Sequence, residues 1–132
     1  MPPSISALKS FAKPYTEAWC SRDPSLVAAF YSPQGSLRVN DRSPAVGRDA
    51  ITEVARAFMT ALPDMKVSME GLSADSNRAI YRWRLTGSNT GPGGTGKTVA
   101  ISGFEEWLLG DDGLILESRG HFDQKDYDRQ LR

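Results

Sequence analysis

At 132 residues, with 39% hydrophobic and 24% charged side chains, the chain is long enough to close one hydrophobic core, and residues 1–132 read as a single domain. Sixteen Lys and Arg cancel sixteen Asp and Glu, which leaves no net field to draw nucleic acid or an anionic membrane, and no apolar run approaches the roughly 18 residues of a bilayer span. A single cysteine, Cys20, and a single histidine, His121, exclude an internal disulfide, a thiolate cluster and a two-histidine metal site.

Met1-Pro2-Pro3-Ser4 lacks the basic start and apolar stretch of a secretion signal. The expectation is a cytoplasmic protein with no metal, no cofactor, and no nucleic-acid or membrane partner.

Taken in order, 4–31 reads as helical. Leu8, Phe11, Tyr15, Ala18 and Trp19 recur at three- and four-residue steps, and Ser4 or Ser6 suits the cap. Pro14 predicts a kink or restart, because it removes a backbone hydrogen bond and crowds the carbonyl of Ser10. Ser21-Arg22-Asp23-Pro24 breaks the helix. Asp23 caps a second one, which buries Leu26, Val27 and Phe30 and ends near Ser32-Pro33. A short strand over 35–40 alternates Leu37 and Val39 with Ser36, Arg38 and Asn40, and a loop at Asp41-Arg42-Ser43-Pro44 follows. A third helix runs from about 47 to 61, with Ile51, Val54, Ala55, Phe58 and Leu62 on its apolar stripe.

The remainder alternates with period two. Strands are predicted over 65–72, 79–86, 98–109 and 114–122, with turns at Ala74-Asp75-Ser76-Asn77 and Asp111-Asp112-Gly113, and a short helix closes the chain over 124–131. Helices first and then a meander of strands is the order of an α+β fold.

Gly91-Pro92-Gly93-Gly94-Thr95-Gly96-Lys97-Thr98 fits the phosphate-binding pattern G-x-x-x-x-G-K-[ST] letter for letter. That chemistry needs a helix opening at Lys97-Thr98, so that backbone N–H groups and the helix dipole face the phosphates. Here Val99, Ile101 and Trp107 follow at odd positions, which is strand periodicity, and 34 residues after Thr98 are too few for a parallel nucleotide-binding sheet. The stretch reads instead as an exposed, mobile hairpin loop without phosphate.

Tyr15-x-Glu17-Ala18-Trp19 with Asp23-Pro24, Gly47-Arg48-Asp49-Ala50-Ile51, Leu62-Pro63-Asp64, Trp83-x-Leu85-Thr86-Gly87-x-Asn89-Thr90-Gly91, and Phe122-Asp123 with Arg129-Gln130-Leu131 span nearly the whole chain. In that order they resemble the nuclear transport factor 2-like superfamily, most closely its SnoaL-like polyketide cyclase branch. The resemblance implies an α+β cone: a strongly curved antiparallel sheet wrapped around N-terminal helices (nuclear transport factor 2-like, or cystatin-like). An apolar pocket fills the hollow, and homodimers form through the sheet. It further implies a small cofactor-free enzyme of cyclase or isomerase type, acting by general acid/base catalysis on an apolar carbonyl-type molecule. The alternative is a non-catalytic small-ligand binder, since fold does not fix function.

The catalytic candidates are Asp123, His121 and Tyr15. Asp123 matches the family's carboxylate after the last strand and shares a side with His121, two residues away; its other reading is the cap of the terminal helix. Tyr15 falls on the tyrosine donor of ketosteroid isomerases. Their aspartate base falls on Val39, with Asp41 two residues on, and their second donor falls near Gly103. The Asp–Arg–Asp set of the superfamily's epoxide hydrolases would draw on Arg82, Arg84 or Arg119, of which Arg82 and Arg84 read as outward. Arg119 also stands where the family often has Trp. Trp19, Val39, Asp41, Trp83, Glu105 and Trp107 are the expected pocket lining. Glu105 shares parity with Ile101, Gly103 and Trp107, which predicts a buried carboxylate with a raised pKa, unless a bulge at Gly103 exchanges it with Glu106.

Overall fold

Ser4 opens the first helix, its hydroxyl accepting from the Ala7 N–H at 3.0 Å. The structure, a computed structural model, describes residues 4–76 and 78–132; Asn77 of the expected turn lies outside them. Helix α1 (Ile5–Trp19) turns Leu8, Ala12, Tyr15 and Ala18 to one buried side. It runs through Pro14 as one helix, without the restart that was one of the two expectations there. Pro14 is on the exposed side, where water can satisfy the carbonyl that loses its partner.

Asp23 caps α2 (Pro24–Ala28) by accepting from the Ser25 N–H and hydroxyl. This helix is shorter than the pattern suggests, and Leu26 is exposed. Strand β1 (Tyr31–Val39) begins where a helix end was expected. Pro33 has no N–H to give a ladder, and it falls in the stretch where β1 loses register with its neighbour, between Tyr31 and Ser36. The short β2 (Ala45–Val46), between the expected loop and the third helix, pairs with β1 through Ser36 and Leu37. Helix α3 (Arg48–Ala61) buries Ile51, Ala55 and Met59 and packs Val54 and Phe58 against the core.

Strands β3 (Lys66–Asp75), β4 (Arg78–Ser88), β5 (Thr98–Leu109) and β6 (Ile115–Phe122) form an antiparallel meander, and α4 (Gln124–Leu131) follows. The six strands lie in the order β2-β1-β6-β5-β4-β3, in a curved sheet that does not close. Every pairing is antiparallel except β1 with β6. Helix α1 lies against β3, α3 against α2 and β1, and α4 against β5. Tyr15, Tyr31, Tyr81, Trp107, Leu8, Ile51, Leu62 and Ile115 are fully enclosed, each worth about 1.5–3 kcal/mol of transfer free energy.

Two local features set the strand faces that matter. The β4–β5 register is unbroken from Arg78↔Leu108 to Ser88↔Thr98, so no bulge forms at Gly103. Gly103 is required for a different reason: a Cβ there would lie 2.3 Å from the His121 carbonyl oxygen and 2.6 Å from the Trp83 ring. In β3 the register slips between Met69 and Gly71, which leaves Glu70 as an extra residue.

The Gly91–Thr98 stretch joins β4 to β5 with no helix at Lys97. Pro92 and Gly93 (φ 76°) make a turn closed by Gly94 N–H to the Gly91 carbonyl at 2.9 Å. Buried Asn89 organises the rest. Its Oδ1 accepts from Thr95 N–H at 2.7 Å, its backbone carbonyl from Gly96 N–H at 2.8 Å, and its Nδ2 donates to the Ala61 carbonyl at 3.1 Å. The N–H groups of residues 94, 95 and 96 are thus consumed within the loop, and Lys97 is exposed.

Candidate functional site

Period two places Val99, Ile101, Glu105 and Trp107 on the inner face of β5, and Ser118 and Gly120 on that of β6. Tyr15 descends from α1 and Tyr31 enters from β1, both fully buried. These elements meet on Glu105, which is 6% exposed.

One oxygen of that carboxyl is saturated. Glu105 Oε1 accepts from the Tyr15 hydroxyl at 2.8 Å, Trp107 Nε1–H at 2.9 Å and the Ser118 hydroxyl at 2.8 Å. Tyr15 gives its proton to Glu105, so Tyr31 donates in the 2.9 Å contact between the two phenols. Glu105 Oε2 receives no hydrogen bond among the described residues. Burial pushes the Glu105 carboxyl above the ordinary glutamate range, and Trp107, Ser118, Tyr15 and the nearby Tyr31 hydroxyl pull the other way. Burial, together with the nearby Glu105 charge, holds the Tyr15 and Tyr31 phenols well above their usual range.

Glu105 forms part of the wall of an apolar hollow of about 60 Å³, which Trp19, Leu37, Val39, Phe58, Trp83 and Phe122 help to line. Gly120 faces Glu105 across the β5–β6 ladder, where a Cβ would lie 3.9 Å from the Glu105 Cγ, so the missing side chain opens space beside the carboxyl. Trp19 Nε1–H is buried and makes no close hydrogen bond among the described residues, although it lies near enough to the Tyr15 hydroxyl to favour that group's ionised form. Tyr81 also lines the hollow, with its hydroxyl engaged by Thr16 Oγ1 and its ring stacked on Trp107 at 4.9 Å.

Of the sequence candidates, the structure brings together Tyr15, Trp19, Val39, Trp83, Glu105 and Trp107; Tyr15 and Trp107 lie behind Glu105 as donors rather than on the hollow's wall. It places the others elsewhere. Ser118 and Gly120 point inward on β6, so His121 points out. There His121 Nε2 meets Glu106 Oε2 at 2.7 Å and the ring stacks on Phe104 at 4.7 Å. Asp123 is exposed and caps α4, accepting from Asp126 N–H at 3.1 Å. Asp41 is exposed beside Arg38 at 3.8 Å. Sequence reasoning missed Tyr31, hidden in an apparent helix end, and Ser118 and Gly120, which one parity count along β6 from Phe122 would have exposed.

The fold is that of the nuclear transport factor 2-like and ketosteroid isomerase-like proteins: a curved sheet closed at its open side by helices, with a hollow between. A family model for SnoaL-like polyketide cyclase matches residues 9–131, and the chain belongs to that family. Among solved structures it is similar to a protein described as a SnoaL-like polyketide cyclase from Jannaschia sp. CCS1 (17% identity, TM-score 0.84, 99% of this chain and 96% of that one). It is also similar to TsrD from Streptomyces laurentii (16%, 0.82, 98% and 97%). A third similar structure is a protein of ketosteroid isomerase-like fold from Catenulispora acidiphila DSM 44928, in complex with trimethylamine (11%, 0.81, 92% and 91%). None of the curated protein sequences matches.

Proposed function

We propose that this protein is an acid/base catalyst for a small, largely apolar molecule, working at a carbon made acidic by a neighbouring carbonyl. The observation that carries this reading is the buried Glu105 carboxyl on the wall of the hollow, with Oε1 saturated by Tyr15, Trp107 and Ser118 and no hydrogen bond to Oε2 among the described residues. In the reaction, ionised Glu105 takes the α-proton onto Oε2, and the C–H electron pair moves into the enolate. Trp19 lines the hollow, and its Nε1–H, which makes no close hydrogen bond but lies near enough to the Tyr15 hydroxyl to favour its ionised form, is the proposed donor to the enolate oxygen. Glu105 then returns the proton to another carbon, an isomerisation, or to the new alkoxide after the enolate attacks a second carbonyl, a cyclisation. A carboxyl held above its ordinary range by burial suits both halves of that exchange near neutral pH.

The test is deuterium uptake from D₂O into the α-positions of small methyl and cyclic ketones, followed by NMR. Glu105→Gln, which keeps the shape, lowers the catalysed rate by about 100-fold or more. Asp123→Asn and His121→Gln leave it near wild type. Full exchange in Glu105→Gln, or its loss in Asp123→Asn, returns the chemistry to Asp123 at the mouth of α4. A non-catalytic ligand binder is the second reading, favoured by there being a single carboxyl on the wall of the hollow; it is the outcome if no ketone exchanges while ligands still raise the melting temperature. The proposal includes a homodimer through the outer face of the sheet.

A further inference from the structure

The hollow holding Glu105 is small for a substrate. One water-sized group needs about 10–15 Å³ by this measure, so about 60 Å³ admits only about four or five non-hydrogen atoms. The rest of any ligand must lie outside it. The route out is visible: Leu37, Val39, Phe58 and Phe122 line the hollow and also a second, open cleft of about 450 Å³ between β1, α3 and α4.

The two spaces differ in chemistry. Glu105 is the one ionisable carboxyl on the inner wall, whereas Arg42, Ser43, Glu53 and Tyr127 contribute to the outer one. Arg42 is carried there by the turn after β1, in which its N–H donates to the Val39 carbonyl at 3.0 Å and Asn40 takes φ 50°. Among the described residues Arg42 has no acidic partner within 4.0 Å, as is also true of Arg22, Arg48, Arg82, Arg84 and Arg132, but Arg42 is the arginine that lines this cleft. Asp41, its neighbour in sequence, pairs with Arg38; Glu53, which shares the cleft lining, pairs with Arg56 at 3.2 Å; and Asp128, whose charge acts on Tyr127, accepts from Gln124 at 3.0 Å. Tyr127 packs its ring into the core, and its hydroxyl makes no hydrogen bond among the described residues. Burial, and then the Asp128 charge, push the Tyr127 phenol above its ordinary range, and the Arg42 charge opposes them more weakly.

We propose that this outer cleft is a carboxylate subsite, in which the Arg42 guanidinium pairs with the anionic tail of a substrate whose carbonyl end enters the hollow. The substrate class is then an apolar oxo-acid, with a short apolar spacer between the carbonyl and the carboxylate lying along Leu37, Val39, Phe58 and Phe122. This rests on the reading that the hollow receives a carbonyl, but it is tested by binding rather than turnover.

The probes are 7-oxooctanoate, with a methyl-ketone head and a carboxylate tail, and its neutral counterpart 8-hydroxyoctan-2-one. Dissociation constants are read from quenching of the tryptophan fluorescence, since Trp19 and Trp83 line the hollow. At low ionic strength the acid binds at least about tenfold tighter than the alcohol, as a charge-assisted pair allows. Arg42→Gln brings the acid to the alcohol's affinity and leaves the alcohol unchanged; Arg38→Gln keeps the wild-type preference. Glu105→Gln keeps the preference too, so loss of exchange there with retained selectivity separates the catalytic reading from this one. Equal affinity of the two probes for wild type, a preference that survives Arg42→Gln, or binding of neither probe overturns the subsite.

Discussion

Glu105 shows how a carboxyl can be enclosed without being disabled. Three donors meet on Oε1, so the proton, when present, belongs on Oε2, the atom without a protein partner. Burial is the leading influence on its pKa and raises it, so the folded state holds this proton to higher pH than the unfolded chain does. Glu105 therefore contributes stability that is fully present below the ordinary glutamate pKa, about 4.3, and that is lost as pH rises through the raised folded value. Glu105→Gln removes the titration and keeps a neutral acceptor for the three donors. In urea unfolding, wild type minus Glu105→Gln stability is expected to fall as pH rises from about 4 upward. A difference that is flat or rising with pH would mean that Glu105 ionises as easily in the folded protein as in the unfolded chain.

At the scale of elements, the β4–β5 loop is the clearest separation of letters from structure. A phosphate cradle needs free N–H groups, and Asn89 and the Pro92-Gly93 turn have taken those of residues 94, 95 and 96. Replacing Asn89 by Ala strands the Thr95 N–H and leaves the Ala61 carbonyl only its longer bond from the Gly91 N–H, 3.4 Å, at a cost of about 1–3 kcal/mol in chemical denaturation. An unchanged midpoint would mean that the loop holds its form without Asn89. The strands of the meander were legible because one face is buried and alternation survives, and β5 and α4 have the predicted bounds. Glu105 was legible for the same reason, as a polar residue in an apolar register. What failed to show was non-local. Nothing local in Tyr31 marks it as the start of a strand running parallel to β6, because that pairing joins segments some 80 residues apart. His121 and Asp123 were read as sharing a side, which Ser118 and Gly120 set as the outer side.

For the whole molecule, the question is what the convex side of the sheet is for, since the concave side is filled by helices and hollow. Phe104 stands there among charges, stacked on His121 and with the Arg82 guanidinium 5.6 Å above its ring. Glu106 holds His121, while Glu117 lies 3.1 Å from Arg119 and 3.8 Å from Arg78. Arg119, the departure from the family's usual Trp, belongs to this face and not to the hollow, so it bears on the surface rather than on the acid/base site. Positive and negative groups alternate around an aromatic centre. A two-fold axis through such a face can set each Arg against the partner's Glu, the self-complementarity that an isologous dimer needs. The expected outcome is a dimer at micromolar concentration in sedimentation equilibrium. Phe104→Glu, which buries an unpaired charge at the centre of the contact, is expected to give a monomer with an unchanged far-ultraviolet spectrum and intact probe binding in the hollow. A wild-type monomer, or a Phe104→Glu dimer as tight as wild type, would show that this face does not join two copies. Loss of probe binding together with dimerisation would show instead that the convex face and the hollow are mechanically coupled through β5, the strand that carries Phe104 outward and Glu105 inward.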